Sequence, residues 1–137
     1  MDGKLNDEAW KEVEWTDEFI DIQGADFPTQ PWFSTRVKMR WDEKFLYIGA
    51  FLEETDVWAN QTEHDSVIFY DNDFEVFLDP SGSNHYYKEY EINAINTDWD
   101  LELDKPYSDN GKPNNSWELA PEKKNAVYVD GPGNINY

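Results

Sequence analysis

The sequence has no cysteine, so neither disulfides nor thiolate metal sites take part in its fold. No apolar run approaches the ~18 residues of a membrane-spanning helix, so no membrane insertion is expected. A signal-peptide pattern is also missing, since Met1 leads straight into Asp2-Gly3, as in a cytoplasmic protein or a mature domain cut from a secreted one. Positive charge is scarce: 11 Lys and Arg stand against 30 Asp and Glu, for a formal net charge of −19. That excess repels nucleic acid and anionic membranes and favours a bound divalent cation. His64 and His85 stand too isolated in the sequence for a zinc site, which takes three or four ligands.

What the chain has is aromatic surface. Phe, Trp and Tyr make up 17% of 137 residues, and each buries a large area, so residues 1–137 read as one domain with a real core. Asn6 or Asp7 caps a short N-terminal helix through Lys11. Val13 to Gln23 reads as an irregular strand and Gly24 to Pro31 as a loop. In the stretch from Ser34 to Glu54, Thr35, Val37, Met39 and Trp41 alternate with Arg36, Lys38 and Arg40, the period of a strand with an apolar inner face. Asp42-Glu43-Lys44 turns it into Phe45 to Leu52, whose continuous apolarity marks a central strand.

Glu53 to Asp73 reads as a packed surface loop. Strands follow at Phe74 to Asp79, Tyr86 to Ile92 and Trp99 to Asp104, with Phe74, Val76, Leu78, Tyr86, Tyr90, Ile92 and Trp99 directed inward. Lys105 to Ser116 is loop, Ala126 to Val129 a last short strand, and GPGNINY trails off. The pattern is all-β and antiparallel, an expected β-sandwich with one short N-terminal helix.

Alternation places Glu75, Glu91 and Asn93 together on the face opposite the apolar one, ~5 Å apart where directly opposed. Carboxylate and amide groups beside aromatic rings suit sugars, whose hydroxyls take hydrogen bonds and whose C–H faces stack on rings. The plainer reading is a solvated face whose acids pair with Arg36, Lys38 and Arg40. Asp79 to Asn84 offers oxygen ligands at alternate positions, as calcium loops do, and Asp71-Asn72-Asp73 is a second acidic group; both also read as ordinary turns.

Four segments, DGKLNDEAW, TRVKMRWDEKFLYIGAFLEE, DNDFEVFLDPSGSNHYY and EIN, resemble in order and spacing the carbohydrate-binding modules of family 9. The resemblance implies a β-sandwich that grips the end of a glycan chain, such as xylan or cellulose, between two tryptophans. It further implies structural calcium, with Asp71, Asp73 and Asp79 as candidate ligands, and a secreted setting beside glycan-degrading enzymes. The family's site acid falls on Glu75 and its site asparagine on Asn93. Its site arginine falls on Glu91, a charge reversal, and its first tryptophan falls at about Phe69, with Tyr70 the alternative. Its second tryptophan and last strands come after Tyr137, so the domain reads as C-terminally incomplete and prone to form a homodimer through an exposed sheet edge. The other readings are a structural or interaction sandwich without a ligand and a heme-binding domain of the neighbouring DOMON type, with Met39 and His85 as conceivable ligands. Nothing marks the acid pair of a glycosidase.

Overall fold

The computed structural model describes residues 1–131, the backbone of 134–136, and Tyr137. Besides one helix, α1 (Glu8–Lys11), it contains β1 (Thr35–Trp41), β2 (Leu46–Glu53), β3 (Asp73–Leu78), β4 (Tyr87–Asn93), β5 (Asp98–Leu103), β6 (Pro113–Asn114), β7 (Tyr128–Val129) and β8 (Asn134–Asn136). The strands form two four-stranded antiparallel sheets, ordered β1-β2-β8-β7 and β3-β4-β5-β6. The protein is thus all-β of the β-sandwich class, with one short helix. Two compact units hold one sheet each: Met1–Val57 with Asn125–Tyr137, and Trp58–Lys124.

In the first unit the β1–β2 hairpin runs in register from Thr35↔Leu52 to Trp41↔Leu46. Its turn is closed by the Asp42 carboxylate, which accepts from the Lys44 and Phe45 N–H groups at 2.7 and 2.8 Å. β2 is central, and the residues that make it so are the tail expected to trail off: β8 pairs with it on the side away from β1. The NIN segment has no apolar alternation, so periodicity carried no strand signal there. A side chain at buried Gly49 would come within 2.7 Å of Leu5 Cδ2, so the bare backbone admits Leu5 and the Trp10 ring.

The expected inner face of β1 holds at Val37, 2% exposed, and is corrected at the end of the strand nearest the turn. Met39 and Trp41 are 51% and 76% exposed, whereas the N-terminal segment covers the side of Arg36 and Lys38. Lys38 Nζ donates to the Trp10 carbonyl at 2.8 Å and lies 4.7 Å from the Trp15 ring centroid; Arg36 lies over the same ring, and Arg40 donates to the Ala9 carbonyl. Cationic side chains can be covered this way because their stems are apolar and their heads favour ring faces. The segment expected as a first strand forms none, but Thr16 and Phe19 donate their N–H groups to Val37 and Thr35 carbonyls on β1's outer side.

In the second unit, β3 and β4 pair Asp73↔Asn93, Glu75↔Glu91 and Phe77↔Glu89, while β4 and β5 pair Glu91↔Trp99, Glu89↔Leu101 and Tyr87↔Leu103. One face therefore carries Glu75, Glu89, Glu91, Trp99, Leu101 and Leu103; the other carries Phe74, Val76, Tyr90, Ile92, Asp98 and Asp100. Both faces are buried at their centres, which corrects the reading of the acid face as solvated: Glu89, Glu91 and Asn93 are 5%, 2% and 0% exposed. Tyr86, expected inward, is exposed in a left-handed turn conformation at φ 55°. The loops also carry two 3-10 turns, Ile68–Tyr70 and Tyr107–Asp109.

A carboxylate and aromatic face as candidate functional site

Strand register brings Glu75 and Glu91 side by side, and Asp73 joins them from one strand end. A carboxylate oxygen of each lies within 4.8 Å of the others. Glu91 is the anchor of the group: its carboxylate takes the Phe69 backbone N–H and so ties the Ile68–Tyr70 turn to the sheet. That turn displays Phe69 and Tyr70, both more than half exposed, as an edge-to-face pair with centroids 5.0 Å apart. Phe69 in turn lies 6.2 Å from Trp99 at 34°.

Burial, reinforced by Glu75, Glu89 and Asp73, pushes Glu91 up to about 8. Asp73 is pushed up to about 7 by burial and then by the negative charge of Glu75 and Asp71. Glu89 is also raised by burial, although the Tyr107 hydroxyl donates to it at 3.0 Å. Asp73 Oδ2, Glu91 Oε2 and Trp99 Nε1 are buried without a hydrogen-bond partner among the described residues. Orphaned buried polar atoms are costly, and here two oxygens and one N–H donor are orphaned beside exposed rings. This arrangement can both accept and donate hydrogen bonds to a hydroxyl-bearing ligand.

Asn93 stands behind this face. Its Nδ2 donates to Gln61 O and Asp71 Oδ2, both at 2.8 Å, and its Oδ1 accepts from Ile95 and Thr97 N–H groups at 3.2 and 2.9 Å. The amide's two donors and two acceptor sites are thereby all engaged in holding loops together. Asp71 belongs to the same brace, accepting Asn60 and Gln61 N–H groups at 2.9 Å; burial opposes its ionisation, but these bonds prevail and lower its pKa. Asp79 accepts Asn84 N–H at 2.7 Å and Ser81 Oγ–H at 3.0 Å within its own turn. Of the three expected calcium ligands, only Asp73 joins a carboxylate cluster among the described residues, with Glu75 and Glu91. That cluster fits calcium, a hard ion that takes oxygen ligands, and it includes two orphaned oxygens.

Sequence reasoning put Glu89 on this face by alternation but missed Trp99 and Tyr107 as parts of it. The alternation of Trp99 with Asp98 and Asp100 was visible, but its partner across the sheet was not. On the opposite face, Lys123 Nζ lies 2.7 Å from both Asp98 and Asp100, and His64 bridges Asp98 and Glu118. His64 is thus isolated only along the chain.

An antiparallel β protein with a sheet face of exposed rings and orphaned polar atoms is a ligand-binding domain by its chemistry. The chain belongs to the family described as carbohydrate family 9 binding domain-like, whose pattern it matches over residues 1–129. No curated protein matches it, and no solved structure does.

Proposed function

We propose that this domain binds the ends of plant-type polysaccharides or oligosaccharides, such as xylan or cellulose fragments, without catalysing their cleavage. The observation that carries this reading is the set of orphaned atoms, Asp73 Oδ2, Glu91 Oε2 and Trp99 Nε1, beside the Phe69 and Tyr70 rings. Sugar hydroxyls supply the missing donors and acceptor, and a pyranose face stacks on the rings. Glu75, exposed at the mouth of the group, is the first carboxylate a sugar would meet. Burial raises Glu75, and burial with the charges of Glu75, Glu89 and Asp73 raises Glu91.

Calcium would be held here by Asp73, Glu75 and Glu91, and its charge would let them stay ionised together. The setting is extracellular, beside glycan-degrading enzymes. A homodimer would pair through β3, which has no strand on its outer side among the described residues; light scattering at 16.2 kDa would remove that part. Calorimetry with xylo- and cello-oligosaccharides tests the main reading. Glu75→Gln and Phe69→Ala should each weaken binding about tenfold, since a hydrogen bond to a charged group is worth roughly 1.5–3 kcal/mol and a ring contact roughly 0.5–1.5 kcal/mol. Unchanged affinity in both variants, or no binding by the native chain, overturns it and leaves the structural domain.

A further inference from the structure

We propose that the other face of the β3–β6 sheet carries a binding site for a divalent first-row transition metal of the zinc class, formed by His64, Asp65, Asp100 and Glu118. One ligand atom from each of the four lies within 4.8 Å of the others. His64 Nδ1 faces two pure acceptors, the Asp98 carbonyl at 2.9 Å and Asp98 Oδ1 at 3.1 Å, so with a metal on Nε2 the ring proton would sit on Nδ1. The lone pair of Nε2 then points toward Asp65 Oδ1 at 3.4 Å and Glu118 Oε2 at 3.3 Å. Bonds of about 2.0–2.1 Å in a tetrahedron set their ligand atoms about 3.3–3.4 Å apart, the spacing found here. A histidine oriented by a carboxylate through its far nitrogen is the usual support of a metal-bound imidazole.

The independent sign of a ligand is Asp100. Its side chain is fully buried, Lys123 takes only Oδ2, and Oδ1 has no hydrogen-bond partner among the described residues. The backbone helps to build the site, since the Asp100 N–H bonds the Asp65 carboxylate. Charge agrees as well. Asp65, Asp98, Asp100 and Glu118 carry four negative charges against one on Lys123, so a dication reduces the local excess from −3 to −1. The imidazole selects the metal: calcium and magnesium take oxygen ligands, whereas imidazole with carboxylates suits zinc and its neighbours. His64 and Glu118 keep 42% and 60% of their side-chain surface exposed, which leaves an entry path. Bound metal would clip the loop of His64 and the strandless segment of Glu118 onto β5.

Zinc chloride titrated by calorimetry into the metal-free chain, with cobalt(II) as the spectroscopic probe, tests this. The expected result is one equivalent bound, a visible d–d band of tetrahedral cobalt, and a Tm rise on the order of 10 °C at 100 times Kd. His64→Ala and Glu118→Gln, both at exposed positions, should lose the band and weaken binding at least tenfold while staying folded by circular dichroism. Glu75→Gln, in the sugar-binding face, should change neither. Absence of stoichiometric binding, or binding that survives His64→Ala, or calcium binding as tightly as zinc, would each overturn the site.

Discussion

The two faces of the β3–β6 sheet bury carboxylates in opposite electrostatic settings. Asp98 is partly buried, and burial alone would raise its pKa; the ion pair and hydrogen bond from Lys123, with the Tyr90 hydroxyl at 3.1 Å, outweigh this and lower it. Glu91 has no such cation among the described residues: burial and the charges of Glu75, Glu89 and Asp73 push it up to about 8. Burial is therefore not what separates the faces. One face has a lysine from the chain itself beside Asp98 and Asp100, with Asp100 Oδ1 alone left unpartnered there among the described residues, and the other sets Glu91 among carboxylates. A lysine lowers the carboxylate it pairs with, whereas carboxylates that face one another are raised, and a bound cation gains at either face where an oxygen stays unpartnered.

Removing the lysine should break the contrast most severely. Lys123→Met leaves Asp98 and Asp100 buried without a cation, and breaking a buried pair in this way costs roughly 3–5 kcal/mol. At roughly 3–5 °C per kcal/mol for a chain of this size, a melting experiment should show a Tm loss above 10 °C. A loss of only a degree or two would mean that solvent, not Lys123, balances these acids.

The pH dependence sharpens the other half. Glu91 rises from 4.5 to about 8 on folding and Asp73 from 3.8 to about 7. Between those values the folded state holds protons that the unfolded chain has released, so stability falls as pH rises. The contribution is complete below the unfolded values and is lost as pH passes through the folded ones. Tm should therefore drop by several degrees from about pH 5 to about pH 9, and Glu91→Gln should flatten that drop and exceed the native Tm at the alkaline end. A native profile level over this range would show the group to be neutralised already. The smallest effect is expected from Tyr107→Phe, which removes the hydroxyl that donates to Glu89: about 1 kcal/mol of stability, read by denaturant titration, and a further rise in the Glu89 pKa.

Much of the strand content was legible. The alternation in TRVKMRW and DFEVFL marked β1 and β3, and it put Glu75 on one face with Glu91 and Asn93, while the pairing Glu75↔Glu91 came from the structure. The direction of burial was legible at Val37 and Ile92 but not throughout, because alternation says which side chains share a face and not which face another segment will cover. Met39 and Trp41 were expected inside on that account, and Glu91 outside. Asn93 illustrates the same limit: its place beside the acid face was visible, but the carbonyl of Gln61, 32 residues away, that takes its amide was not.

What the sequence by itself determined is what short-range physics encodes. The period of β3 and β4 put Glu75, Glu91 and Asn93 on one face, the absence of cysteine removed thiol chemistry, and the excess of 30 acids over 11 bases ensured that some carboxylates would lack a cation. Tertiary structure alone decided which ones. Lys123 reaches Asp100 from 23 residues away, and His64 meets Asp98 and Glu118 across 34 and 54 residues. No local period links positions that far apart, because their approach depends on how loops close over the sheet and on which face they close.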